Sequence, residues 1–128
     1  MGGVFMKMRF ARHAQNLKKM QHFYVTLLGL SVVGSFKNHN GYDGIILGCD
    51  GGSWQIELTT SDDKPFHSYD EDDLLVLYFD SLKQYEDTIE RLNNERVIEF
   101  APLNPFWEEN GKLYKDPEGF RIVLVKPS

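Results

Sequence analysis

One order of elements, a strand, a helix and then three strands, occurs twice in this chain at a spacing of roughly 65 residues, too long for a solenoid unit and suited to a duplicated half-domain. The repeat lies in pattern and not in residue identity. In the first copy Met6, Met8 and Phe10 alternate with Lys7, Arg9 and Ala11, and His13 continues the second series, so 6–13 is expected as a half-buried strand. Asn16 can cap a helix whose face is written by Leu17, Met20, Tyr24, Leu27 and Leu28, with Gly29 as its stop. Strands are expected at 31–36, 41–48 and 53–60, separated by the turn-like segments KNHN and CDGG. The polar stretch TTSDDKPFHSYDED reads as a linker over about 61–73.

The second copy opens with a strand at 74–79. Ser81 and Gln84 then form a capping box for a helix that presents Leu82, Tyr85, Ile89 and Leu92 on one side. A short strand at 96–100, an aromatic loop at 103–107 interrupted by proline, and a strand at 112–115 lead to the turn Asp116, Pro117, Glu118, Gly119. Proline presets φ at the second turn position and glycine suits the exit. On the strand that follows, Phe120, Ile122 and Leu124 point one way and Arg121, Val123 and Val125 the other. The expected architecture is α+β. Two βαβββ modules, at about 5–60 and 74–126 in a single domain, form a cupped, partly open mixed β-sheet barrel with the helices outside.

Composition narrows the function. With 41% hydrophobic and 26% charged residues the chain has the make-up of an ordinary globular protein. Its net charge of -5 and scattered cations argue against a nucleic-acid partner, which needs a basic stripe. No apolar run approaches the ~20 residues of a membrane span, and the opening Met-Gly lacks the hydroxyl residue of a myristoylation signal. Cys49 is the only cysteine, which excludes internal disulfides and CxxC sites. A cytoplasmic location is expected.

The segments NLKKMQHFYVTLLGL, WQIELT and YKDPEGFRIVLV, in that order, resemble the glyoxalase, bleomycin-resistance and dioxygenase superfamily, the vicinal-oxygen-chelate proteins. DPEGF before an apolar strand, paired with FYVTLLG, is the strongest part of the match, and FKNHNGYDGIILG, DLLVLYF and NPFW resemble a poorly characterised bacterial branch. The resemblance implies the paired βαβββ fold, commonly a homodimer, and a small organic ligand. In metal enzymes of the superfamily four strand positions supply histidine and glutamate ligands, and the resemblance puts Arg9, Glu57, Leu74 and Val123 there. Only Glu57 can ligate a divalent cation: leucine and valine offer no donor, and a guanidinium stays protonated. No cofactor is expected, although His13, His39 or His67 remain as substitutes that would restore a divalent metal site.

Arg9 is expected to stand where the ion stood and to pair with Glu57, either as part of a binding site or as an inert pair. Alternation adds Lys7, His13, Gln55, Tyr78, Tyr114 and Arg121 as residues lining the cup, with Phe106 and Trp107 as an apolar lid. The expected function is ligand binding without chemistry. The alternatives are a metal-dependent lyase, isomerase or thiol transferase of the glyoxalase type, or a metal-free enzyme with Glu57 as catalytic base.

Overall fold

In the computed structural model the described residues are 3–4, 6–49 and 52–128. Met1, Gly2, Phe5, Asp50 and Gly51 lie outside them, and with them the opening Met-Gly, the first residue of the expected first module and the middle of the CDGG turn. The chain divides into two compact units, Met1–Phe66 and His67–Ser128, each built on its own four-stranded mixed sheet. Neither sheet closes into a barrel.

Unit 1 contains β1 (Met8–His13), β2 (Ser31–His39), β3 (Tyr42–Gly48) and β4 (Trp54–Thr60), in the order β1-β4-β3-β2. β1 lies parallel to β4, and the other pairings are antiparallel. Helix α1 (Leu17–Gln21) begins where Asn16 Oδ1 accepts the amide of Lys19 at 3.0 Å, and continues as a π-helical segment, His22–Leu27. It buries Met20, Phe23, Tyr24 and Leu27. Gly29, at φ 87°, ends it as expected, with the amide of Leu30 returning to the carbonyl of Tyr24. β2 runs three residues past its expected end. Asn38 and Asn40 take positive φ, which asparagine tolerates, and the amide of Asn38 donates to Asp43 Oδ1, so the KNHN segment is mostly strand.

Unit 2 contains β5 (Leu74–Tyr78), β6 (Glu99–Phe100), β7 (Lys112–Lys115) and β8 (Arg121–Val125), in the order β5-β8-β7-β6. Ser81 Oγ accepts the amide of Gln84 and opens α2 (Leu82–Asn94). The buried stripe of α2 is Tyr85, Thr88 and Leu92, while Leu82, expected on that side, is 52% exposed. Thr88 is buried because its polar group is satisfied locally: it donates to Gln84 O at 2.7 Å and accepts from Arg91 at 2.9 Å.

Two expectations for unit 2 change. The segment expected as a loop holds a third helix, α3 (Pro105–Asn110), started by Asn104 Oδ1 capping the amide of Phe106, with proline in the first turn, where its missing N–H costs nothing. The second half of the expected linker is docked: His67 stacks on Tyr69, whose ring lies 5.2 Å from that of Phe120. The β7–β8 turn forms as read. Gly119, at φ 91°, donates to Asp116 O, and the Asp116 amide donates to Phe120 O.

Candidate functional site

Residues directly opposite in a sheet share a face, so register decides which side chains can meet. In unit 1 Arg9 faces Gln55, Ala11 faces Glu57 and His13 faces Thr59. One sheet face therefore carries Arg9, His13, Gln55 and Glu57 together. The guanidinium of Arg9 donates through Nε and Nη2 to Gln55 Oε1, at 3.1 and 2.9 Å, and through Nη1 to Glu57 Oε1 at 3.1 Å. Glu57 lies diagonal to Arg9 across the pair, a reach that long side chains span. The Arg9 side chain is 47% exposed and that of Glu57 20%, so the pair contributes at most about 1 kcal/mol to stability.

His13 shares this face but has another partner. Its Nε2 lies 3.0 Å from Ser61 Oγ. Ser61 gives its own hydroxyl proton to the carbonyl of Asp63, so Nε2 is the donor in the histidine bond. In the neutral ring that leaves the lone pair on Nδ1. His39 sits edge-on to Phe36, and His67 is held by Tyr69. Among the described residues no three of His, Cys, Asp and Glu come close enough to hold a metal ion.

In unit 2 β8 divides as its sequence alternates. Leu113 faces Val123, Lys115 faces Arg121, and Leu74, Val76 and Tyr78 face Arg121, Val123 and Val125 from the other side. Tyr78, on this face, is 69% exposed. Tyr114 is not there: it faces Ile122, on the opposite side of the sheet, and is 1% exposed. Its place in the predicted lining is corrected by one residue of register, because alternation through the turn pairs Tyr114 with the apolar face of β8. Trp107, expected as a lid, belongs to α3, with its ring 4.8 Å from that of Phe106 and perpendicular to it; Phe106 is 57% exposed.

Burial pushes the Tyr114 phenol up to about 12, with Glu99 and Tyr85 adding to the effect, and burial raises Tyr85 as well. A group that keeps its proton more tightly when folded contributes fully below its ordinary value of 10, and that contribution is lost as pH rises toward 12. Stability is therefore expected to fall by about 2 kcal/mol more between pH 9 and pH 12 in the native chain than in Tyr114→Phe. Denaturant titrations of both at pH 9 and pH 12 measure the difference.

The metal implied by the resemblance does not fit these residues. Arg9 is a cation already engaged by Gln55 and Glu57, while Leu74 and fully buried Val123 have no donor atom. What the arrangement of unit 1 offers is a fixed guanidinium beside a carboxylate and an amide, able to donate to and accept from a polar ligand.

Residues 8–59 match the YycE-like N-terminal domain and residues 72–126 the YycE-like C-terminal domain. The uncharacterized protein YycE of Bacillus subtilis is 30% identical over 120 residues, which span 93% of this chain and 86% of that protein. A crystal structure of a YycE protein of unknown function from Bacillus subtilis is similar at a TM-score of 0.81 and 29% identity, over 95% of this chain and 90% of that one. TnmS3, an antibiotic-binding protein from Streptomyces sp. CB03234, shares the fold at a TM-score of 0.68 and 20% identity, over 100% of this chain and 99% of that one. Glyoxalase I of Leishmania major shares it at 0.72 and 17%, over 96% and 87%. The chain thus belongs to the YycE-like family, within the glyoxalase, bleomycin-resistance and dioxygenase superfamily.

Proposed function

We propose that this chain binds and sequesters a small organic molecule without transforming it, and that it does so as a cytoplasmic homodimer. The observation that carries the reading is the Arg9 guanidinium, held by Gln55 and Glu57 on one sheet face at a position where metal enzymes of the superfamily have a ligand. A fixed charge pair can orient a polar ligand, but it cannot act as the Lewis acid that glyoxalase-type chemistry needs. The fold shared with the antibiotic-binding protein TnmS3 supports binding as the task. Glu57, whose Oε1 accepts from Arg9, serves here as the guanidinium's partner and not as a catalytic base.

A panel of antibiotics and small polar metabolites, screened by thermal shift and then by turnover, tests this. Hits are expected to raise the melting temperature, to remain chemically unchanged, and to lose about tenfold or more in affinity with Arg9→Met. Unliganded Arg9→Met is expected to stay within about 1 kcal/mol of the native chain. Turnover of methylglyoxal hemithioacetal that a chelator abolishes would establish the enzyme reading instead. Hits whose affinity Arg9→Met leaves unaltered would mark the pair as inert.

A further inference from the structure

We infer that unit 2 carries a binding cleft of its own for a small organic acid, built on Lys115 and Arg121. The two residues lie directly opposite each other across the β7–β8 pair, on one face of the sheet. Like charges in that position repel, so the sequence sets two cations where a sheet tolerates them least. Among the described residues neither forms a salt bridge, unlike Arg9, Lys83 and Lys112, which pair with Glu57, Asp87 and Glu99. Each is held by neutral groups instead. The Lys115 ammonium lies 4.2 Å from the centre of the Phe100 ring, and Arg121 Nη1 lies 3.4 Å from the carbonyl of Asp70. These contacts fix the side chains and leave the charges uncancelled.

The two cations border a cleft of about 210 Å³ whose apolar walls include Phe100, Leu103 and Leu113. Leu103 is 61% exposed beside this opening. Exposed Glu71 also lines the cleft, so the residues that line it carry one net positive charge. The volume is below the roughly 300 Å³ at which sites for drug-sized ligands begin. One positive charge, apolar walls and a small volume together suit a singly charged acid with a compact apolar body, its carboxylate held between the guanidinium and the ammonium. This site uses no residue of unit 1 and stands or falls apart from the Arg9 reading.

Benzoate is the probe, titrated into the isotopically labelled chain and followed by amide chemical shifts, with benzamide and inorganic phosphate as controls. Saturable benzoate binding is expected, with shifts concentrated at 100–103, 113–115 and 121, weakening as salt rises. Benzamide and phosphate are each expected to bind about tenfold more weakly or worse, one lacking the charge and the other the apolar body. Lys115→Gln and Arg121→Gln are each expected to weaken benzoate by about tenfold, whereas Lys83→Gln, at an exposed cation of α2, leaves it unchanged. Both substitutions lie on a partly open strand face, and amide spectra confirm that the variants fold. Absence of saturable benzoate binding, benzamide or phosphate binding as tight as benzoate, or full affinity in both glutamine variants would overturn the assignment.

Discussion

Replacing Leu92 with alanine is expected to cost about 2–5 kcal/mol of unfolding free energy, the range for removing a fully buried leucine and leaving a cavity. Leu92 is 0% exposed in the last turn of α2. It follows Tyr85 and Thr88 at helical spacing, so this stripe anchors α2. Leu82, at the start of the same helix and 52% exposed, gives the control: Leu82→Ala is expected to change stability by less than about 0.5 kcal/mol. Urea denaturation of both variants reads the contrast. Equal losses would mean that the helix buries the face that its leucines alone suggest.

Asp116→Ala is expected to cost about 2–4 kcal/mol, more than a surface turn residue normally does. Asp116 is 5% exposed, and its Oδ1 accepts the amides of Glu118 at 2.9 Å and Phe120 at 3.1 Å. Alanine leaves both donors without that acceptor, and the Phe120 amide is in a buried bond, where an unpaired donor costs about 1–3 kcal/mol. Asp116→Asn keeps an oxygen acceptor and is expected to recover most of the loss. Because the turn joins β7 to β8, the alanine variant is also expected to speed amide exchange at 112–115 and 121–125. Slow exchange there in Asp116→Ala would show that the ladder holds the hairpin without the carboxylate.

The turn and the order of elements were legible because each carries local chemistry: proline and glycine in DPEG, the Asn16 and Ser81 caps, and two-residue alternation in 54–60 and 121–125. The Arg9 and Glu57 pair was legible only through the resemblance, which put both residues at metal-ligand positions of the superfamily. Tyr114 was misplaced because alternation must be carried through the turn by counting hydrogen-bonded partners, and the partner of Tyr114 is Ile122. Thr88 went unread because a polar residue in a buried stripe is intelligible only once its partners, Gln84 and Arg91, are known. Lys115 is the second cation of the unit 2 cleft. Its signal was present: Lys115 and Arg121 flank Asp116 to Phe120, and the turn geometry that sets them opposite each other was already written in the sequence.

The α3 helix is not legible in the sequence because Asn-Pro reads equally as a turn and as a cap with its first helical residue, and six residues show no convincing period. The π-helical continuation of α1 has no local signature at all in HFYVTL. Local signals thus gave the elements, while the register between strands determined which residues meet.

In the reading proposed above, the Arg9 guanidinium and the Glu57 carboxylate stand at positions from which metal enzymes of the superfamily hold an ion. Calorimetric titration of the chain, purified without a metal-affinity step, with nickel, zinc and manganese(II) addresses it most directly. No binding approaching one ion per chain is expected, in the native protein or in Glu57→Gln. Uptake of one ion per native chain that Glu57→Gln abolishes would contradict it.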